Sequence, residues 1–412
     1  MRGAGDQMTV GERIKFYRRR RGLTQEVLAN LVGRKVDWLS KIERGERDVR
    51  RLDVLSDVAR ALRVTLADLF GQPVLMEDDE ENDNVPAVRD ALMTPRRLSR
   101  TLFGSGSPVV TADPESSTRF VEEAWDDYQA GRLGRVIKAL PGLIEVAQQL
   151  EDAASSGEAN ARHCWAVSAR THHLAATALS KVGEADLAWI AAERSMQAAD
   201  SSDDPLVLAS AARAGTHALL AVGRFDDALS LGNRASEWLA PQMAQGDPSA
   251  LSLFGMLHLR TAIAAARRQD RPTATELLNR AFAAAHDLDE DGNYWQTGFG
   301  PTNVELHRMS AALDLGDVPF VVEHGPSIVV EHLPVERRVT HMIDVARAQS
   351  MLAEDEPALQ SLLTAEQAAP QLVRHSPMVR ETVKAMHRRS PVAGGAKSSP
   401  LSGLAERCRA IQ

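Results

Sequence analysis

Apolar residues recur every three to four positions over most of this 412-residue chain, which is the spacing of amphipathic helices. Between residues 9 and 70 the apolar stretches are short and often interrupted, as in a compact bundle of short helices. From about Ser117 to His387 the chain is rich in Ala and Leu, and its helical stretches are longer. The pattern predicts an all-α protein with a small N-terminal domain and a large helical C-terminal domain.

The longer helical stretches are broken at intervals by Gly or Asp turns. The sequence ALSKVG-EADLA around Gly183 returns 40 residues later as ALLAVG-RFDDAL around Gly223. Similar turns lie at Gly131, Gln269-Asp270, Leu315-Gly316-Asp317 and Ala353-Glu354-Asp355. Repeated helix–turn–helix units indicate a solenoid, because one unit cannot bury its apolar face without its neighbours.

Composition divides the chain further. The acidic run Glu77–Asp83 has nothing to bury and repels itself, so it predicts a linker, followed by two short helices split at Pro95. After Ser390 the chain is rich in Gly, Ser and Pro, which predicts a flexible tail with room for a short helix at Leu404–Ile411. The predicted units are a first domain over residues 1–73, a linker over 74–116, a repeat domain over 117–390 and a tail over 391–412.

Several classes of protein are disfavoured by what the sequence lacks. It has no apolar stretch of the ~20 residues that cross a bilayer and no signal-peptide core, so we expect a cytoplasmic protein without a membrane partner. Its two cysteines, Cys164 and Cys408, give neither a disulfide framework nor zinc-ligand spacing. No P-loop, G-x-S-x-G or H-E-x-x-H motif occurs. We therefore expect no metal, no cofactor and no enzymatic activity.

The net charge of −8 is unevenly distributed. Residues 1–73 contain 16 Lys and Arg against 10 Asp and Glu, a net charge of +6, and the remainder carries −14. A basic head on an acidic body suggests that only the head meets a polyanion.

The strongest functional pattern lies between Thr24 and Arg51. Its skeleton is Gln25-x3-Ala29-x3-Gly33-x5-Leu39-x2-Ile42-Glu43. Ala29 is small where two helices cross, and Gly33 permits a left-handed turn. Leu39 and Ile42 point into the bundle and turn the opposite face of the second helix of this pair outward.

That outward face is predicted to read DNA. In a helix-turn-helix the second helix enters the major groove, where Lys suits guanine, Ser suits either partner and Val packs on a thymine methyl group. The predicted base-reading residues are Lys35, Val36, Ser40 and Lys41. Arginines suited to phosphate contacts flank them: Arg18 to Arg21 before, and Arg44, Arg47, Arg50 and Arg51 after.

Residues 9–70 resemble the lambda-repressor/Cro-like, or XRE-type, helix-turn-helix family. The resemblance rests on the segment LSKIERG from Leu39 and on the apolar run from Leu55 to Leu69. It implies a five-helix domain, a homodimer on a two-fold-related DNA operator, and recognition by the third helix, roughly Lys35 to Arg44. It also implies that Gln25 contacts the DNA backbone. Lys35 departs from the family, which usually has a Ser or Thr helix cap there.

The repeat region resembles the tetratricopeptide class through the residues from Gly223 to Leu229 and a looser copy at Gly183. The period exceeds the usual ~34 residues, which indicates lengthened helical hairpins. In architecture the chain is similar to the peptide-sensing helix-turn-helix/tetratricopeptide regulators of Gram-positive bacteria.

The segment Asp289–Val304 interrupts the repeats with three aromatic residues and three glycines, and its FGPTNV part resembles one in helix-turn-helix/repeat regulators of high-GC bacteria. Such a composition is typical of a ligand pocket. The candidate effector contacts are Tyr294, Trp295, Gln296, Phe299, Asn303 and His307. The alternative is structural: the rings seal a seam between repeats, and Thr302-x-x-Glu305 is a helix capping box.

Together these patterns predict a sequence-specific DNA-binding transcriptional regulator whose repeat domain senses a peptide or small-molecule effector. The alternative is a DNA-addressed scaffold whose repeats bind another protein. A closed cavity in the repeat domain favours the first hypothesis, and an open groove favours the second.

Overall fold

Every secondary-structure element that the computed structural model describes is a helix, which confirms the predicted all-α class. The structure describes residues 8–410 except positions 22, 50, 63 and 65 and the segments 71–84, 104–111, 158–159, 244–245 and 391–398. The acidic run Glu77–Asp83 and the predicted phosphate contact Arg50 lie outside the described residues.

The N-terminal head has five short helices, as predicted. They are α1 Val10–Arg20, α2 Gln25–Leu31, α3 Val36–Glu43, α4 Leu52–Leu62 and α5 Leu66–Phe70. Thr9 begins α1 with a capping box that it shares with Glu12, and Thr24 caps α2 through the N–H of Val27. Lys35 gives α3 no side-chain cap, as its departure from the usual Ser or Thr implies. The apolar faces of the five helices meet in one core, whose fully buried members include Ile14, Leu28, Ala29, Leu39 and Val58.

The predicted linker contains two short helices separated at Pro95, as expected. They are α6 Val85–Leu92 and α7 Arg100–Phe103, with a 3₁₀ turn at Pro95–Arg97 between them. Three side chains of α6, those of Val85, Val88 and Leu92, are buried in the core of the first repeat helices. This part of the segment therefore belongs structurally to the C-terminal body.

The body is a row of six helical hairpins. Their helices are α8 Pro114–Gln129 with α9 Leu133–Ser155, α10 Ala161–Lys181 with α11 Ala185–Ser202, α12 Pro205–Ala221 with α13 Phe225–Met243, α14 Pro248–Arg267 with α15 Arg271–Leu288, α16 Pro301–Leu315 with α17 Val318–His324, and α18 Val335–Met351 with α19 Asp355–Ala368. Neighbouring helices along the row pack on one another, and their apolar faces are buried in several adjoining clusters.

All six turns predicted from the sequence join the two helices of a hairpin. Each contains a residue with left-handed φ: Gly131 at 77°, Gly183 at 82°, Gly223 at 78°, Gln269 at 63°, Gly316 at 91° and Ala353 at 64°. A left-handed residue lets the chain reverse within two or three positions. Gln269 and Ala353 fill this role without glycine.

Helix α14 is, by length and composition, apolar enough to cross a membrane, but 83% of its apolar window is buried inside the protein. It packs against α12, α13, α15 and α16. Its apolar character is therefore accounted for by its place at the centre of the body.

The C-terminal tail contains a short helix, as the sequence allowed, and this helix begins earlier than expected and packs on the body. After α20 Pro370–Arg374 and α21 Pro377–Arg389, a further helix α22 Pro400–Arg407 begins at the capping residue Ser399. Leu404, Ala405 and Cys408 are buried in the main core, and Arg407 pairs with Glu366 at 2.6 Å. The Gly- and Ser-rich composition hid three apolar positions at helical spacing. Residues 391–398 lie outside the described part of the chain.

Candidate DNA interface and central cavity

Helix α3 has the two-sided character that a recognition helix needs. Leu39 and Ile42 are buried in the head core. Lys35 and Val36 at its start are exposed, and Ser40 and Lys41 on the following turn are half-buried. The structure therefore brings the four predicted base-reading residues to the start and outer side of one short helix.

A buried hydrogen-bond network fixes α3 against the other head helices. The guanidinium of Arg18 donates to both carboxylate oxygens of Glu43, at 2.5 and 2.7 Å, and the amide of Gln25 donates to Glu43 at 2.8 Å. Burial alone would raise the pKa of Glu43, but the hydrogen bonds from Arg18 and Gln25 outweigh it and hold that pKa below its ordinary value.

This network bears on the predicted DNA contacts of Arg18 and Gln25. Arg18 is buried, so it serves the head core and not, as the run Arg18 to Arg21 suggested, a phosphate contact. The half-buried Gln25 has one amide N–H engaged by Glu43. The structural role of Glu43 could have been inferred from the sequence, because Glu43 directly follows the apolar Ile42, on the side of α3 that faces the core.

Lys41 is paired within its own helix. Its ammonium lies 2.8 Å from the carboxylate of Asp37, one turn earlier, and the hydrogen bond from Lys41 lowers the pKa of Asp37. The side chains of Lys41 and Asp37 are 45% and 71% exposed, so the pair is weak and free to exchange for a DNA contact.

The arginines that follow α3 differ in their ion-pair partners. Arg44 pairs with Glu46 at 2.7 Å, and Arg51 pairs with Asp53 at 2.9 Å. Arg47 is exposed and has no ion-pair partner among the described residues. All three follow the last residue of α3 in the chain.

The body adds basic groups that no pattern in the sequence predicts at this place. A cleft of about 1030 Å³ lies between the start of α3 and helix α21. Its basic lining residues are Arg34, Lys35, Arg47 and Arg51 from the head and Arg388 and Arg389 from the body. Arg388 also forms an ion pair with Asp48 of the head. A contact between residues so far apart in the chain leaves no local signal.

Comparison with known proteins places this head in an established family. The family described as a helix-turn-helix domain matches residues 9–69. Over 109 residues the chain is 30% identical to the immunity repressor protein of Bacillus phage phi105, a stretch of 26% of this chain and 75% of that protein. The chain belongs to the helix-turn-helix family of DNA-binding regulators.

A solved structure covers more of the regulator at lower similarity. It is Bacillus thuringiensis PlcR in complex with the peptide PapR7 and DNA. The match has 14% identity and a TM-score of 0.28, and it covers 68% of this chain and 95% of that one. So distant a likeness assigns no role to any residue of the regulator.

The body of the regulator contains a partly open central cavity of about 300 Å³. Its wall comes from the first helices of five successive hairpins, namely α10, α12, α14, α16 and α18. On one side the wall is completed by three apolar residues of the head, Leu52, Leu66 and Phe70. The cavity therefore lies inside the row of repeats and touches the DNA-binding domain directly.

A second, smaller cavity of about 40 Å³ adjoins the first. His217, Arg260 and Arg337 line both, while Tyr128, His173 and Arg213 line the smaller one. The histidines belong to the inner surface, where burial holds the pKa of His173 and of His217 well below the usual range. Both rings are therefore neutral at physiological pH.

The structure does not bring the six predicted effector contacts together. His307 lines the larger cavity and Gln296 lines the smaller one. The other four, Tyr294, Trp295, Phe299 and Asn303, line neither. As an effector site the six residues remain a prediction.

The four residues outside the cavities have structural contacts. Phe299 is fully buried against α14, where a Cβ at Gly255 would lie 1.9 Å from its ring. The amide of Asn303 donates to the carbonyl of Gly298 at 2.9 Å. Arg170 stacks 4.8 Å from the centre of the Trp295 ring, and the Tyr294 hydroxyl donates to Glu290 at 2.8 Å. These contacts match the alternative of a seam between repeats.

The expected capping box at Thr302-x-x-Glu305 is wrong. Pro301 occupies the first turn of α16, so its cap position falls on Gly300, which has no side chain. The carboxylate of Asp291 takes over this role by accepting from the N–H of Thr302 at 3.0 Å and from its hydroxyl at 2.7 Å. A residue eleven positions upstream cannot be found by a local capping pattern.

Proposed function

We propose that this regulator controls transcription as a cytoplasmic homodimer whose operator affinity depends on a peptide or small molecule held in the central cavity. Helix α3 enters the major groove and reads bases with Lys35, Val36, Ser40 and Lys41. Phosphate contacts come from Gln25, Arg44, Arg47, Arg50 and Arg51.

The observation that carries the effector proposal is the shared wall of the cavity. An effector acts only if it binds two states of the protein with different affinity. A ligand in the cavity touches Leu52, Leu66 and Phe70 of the head while it touches the repeat helices. Its binding free energy therefore depends on how the head is docked, and the docking of the head sets how α3 meets DNA.

The DNA-binding half of the proposal is tested by selecting bound sequences from random DNA with the full-length regulator. We expect an inverted repeat, because a homodimer presents two copies of α3. The matched variant carries Ser40→Ala and Lys41→Ala and should enrich no such repeat. Enrichment of the same sequence by both proteins would contradict the assignment of α3 as the reading helix.

The coupling half is tested by filling the cavity. Ala221 faces the cavity from the end of α12, and Ala221→Trp places an indole against the wall that the head completes. We expect the Kd for the selected operator to change by about fivefold or more, the range of ordinary allosteric coupling. Ala240→Trp, at an exposed position of α13, is the control and should leave the Kd unchanged. Equal operator affinity in the two variants would favour a scaffold whose cavity is not coupled to DNA.

A further inference from the structure

Three arginines meet where the two cavities join. Arg213 comes from α12, Arg260 from α14 and Arg337 from α18. Arg213 and Arg337 are 7% and 8% exposed, and the half-buried Arg260 borders both cavities. Three cations from three different repeats thus converge on one interior point.

The carboxylates that line the two cavities are already in ion pairs. Asp314 pairs with Arg267 at 2.9 Å, and Asp344 pairs with Arg347 at 2.9 Å. Glu336 lies 2.5 Å from Lys181 and 3.7 Å from Arg337. Among the described residues, no carboxylate lies within ion-pair distance of Arg213 or Arg260.

Hydrogen bonding leaves these guanidinium groups incompletely satisfied. The buried Nε atoms of Arg260 and Arg337 have no hydrogen-bond partner in the described part of the chain. Burial and the neighbouring Arg260 lower the pKa of Arg213 to about 9, and burial and Arg337 lower that of Arg260 to about 10. Arg213 and Arg260 therefore remain charged at neutral pH, and among the described residues neither has an ion-pair partner, which costs stability.

Neutral histidines hold two of these guanidinium groups in place. The ring of His307 donates from Nδ1 to the carbonyl of Asn303 at 2.9 Å, which leaves Nε2 to accept from Arg337 at 3.5 Å. His173 similarly accepts from Arg213 at 3.5 Å. Arg213 and Arg337 are therefore positioned in part by uncharged neighbours, as in a preformed anion site.

We infer that Arg213, Arg260 and Arg337 bind an anionic group, a carboxylate or a phosphate, of the effector. This inference rests on the proposed function, because it specifies the ligand of the same cavity. The lining of the larger cavity is mixed in character. Arg260 and Arg337 border both cavities, whereas the head contributes three apolar residues, Leu52, Leu66 and Phe70, to the wall of the larger one. The effector class is therefore an anion with an apolar part directed toward the DNA-binding domain.

Thermal unfolding of the full-length regulator tests this inference with simple anions and peptides in place of the effector. The probes are inorganic phosphate, citrate, and a short apolar peptide with a free or an amidated C-terminus, each compared with chloride at equal ionic strength. We expect Tm to rise with phosphate, citrate or the free-acid peptide and not with chloride or the amide, because ligands of the native state stabilise it. Phosphate acting without the peptide identifies a phosphate-type ligand, and the free-acid peptide acting alone identifies a carboxylate of a chain.

The decisive variant is Arg260→Met, which keeps the length of the side chain and removes the charge. Loss of one charge-assisted contact should weaken anion binding by about 10- to 100-fold. The same change should raise the Tm of the ligand-free protein, because it removes an unpaired buried cation. Arg267→Met is the matched control on the same helix and cavity. It breaks the pair with Asp314, so it should lower Tm and keep the response to anions.

Two results would overturn the inference. In the first, no probe raises Tm and Arg260→Met is no more stable than wild type. In the second, anions raise the Tm of wild type and of Arg260→Met equally. The proposed function would survive either result if Ala221→Trp still changed operator affinity, since the effector would then be a neutral molecule. If Ala221→Trp had no effect while Arg260→Met abolished the anion response, the anion site would stand without coupling to DNA.

Discussion

The hydroxyl of Ser56 in the head donates a hydrogen bond to the carbonyl of Gly223 in the body, across 3.3 Å. Ser56 lies in the middle of α4, and Gly223 forms the turn of the third hairpin. Leu66 of α5 also lies beside Gly223, and Met378 of α21 packs against the head core. The head therefore rests on two separated parts of the body, with the cavity between them.

The ion pair between Asp48 and Arg388 should control this docking. Both groups are partly exposed, so Arg388→Ala should cost less than about 1 kcal/mol of global stability. Because the contact joins the two domains, hydrogen exchange in Leu52–Leu62 should nevertheless become faster. The charge-reversed pair Asp48→Arg/Arg388→Asp should restore slow exchange, whereas each single reversal should not. Equal exchange rates in all these proteins would show that the pair does not hold the head.

Gly223 should tolerate substitution far less well than a glycine in an open turn. Its φ of 78° is left-handed, and a Cβ there would lie 2.9 Å from the hydroxyl oxygen of Ser56. Gly223→Ala should therefore cost about 1–2 kcal/mol from the backbone alone and more from the displaced head. Gly246, with φ of 69° and open space around it, is the control. Urea unfolding measures both, and equal losses would mean that the contact with Ser56 contributes nothing.

The sequence predicts the fold well where the determinants are local. The turns at Gly183 and Gly223 carry their own glycine, and the spacing from Gln25 to Glu43 defines the head. The cluster of Arg213, Arg260 and Arg337 could not be predicted from the sequence, because its members are spread over 124 positions. Each of them looks like an ordinary surface arginine on an amphipathic helix. Only the curvature of the repeats turns them toward one point. The aromatic segment shows the opposite case, since its rings are close in sequence but the structure does not bring them to one cavity.

Low pH should reduce the stability of the N-terminal head by protonating Glu43. The pKa of this carboxyl is lowered in the folded protein, so its contribution to stability is present above the ordinary pKa of Glu and is lost as pH falls through the lower, folded value. Glu43→Gln removes the charge that Arg18 and Gln25 contact and should cost about 3–5 kcal/mol at neutral pH. Glu43→Gln should also make the free energy of unfolding depend less on pH in the acid range.

Urea unfolding of the full-length regulator between pH 3 and pH 7 measures both effects of Glu43. The control is Glu46→Gln, because Glu46 is exposed and, among the described residues, pairs with Arg44 alone. If both variants lost stability with the same pH dependence, the buried network would not be the acid-sensitive element of the head.

Lys41 and Arg47 should affect DNA binding in different ways. Lys41→Ala removes a predicted base contact and should cost on the order of 1–3 kcal/mol for the selected operator, with relaxed preference at one base position. Arg47→Ala removes a predicted phosphate contact and should weaken binding to all sequences alike, reducing the slope of log K against log salt by about 1. Titrations of operator and random DNA at several salt concentrations separate the two. Because the Asp37–Lys41 pair is broken on binding, Asp37→Asn should strengthen operator affinity slightly. A uniform loss with Lys41→Ala would instead assign that lysine to the phosphate backbone and leave base reading to Lys35, Val36 and Ser40.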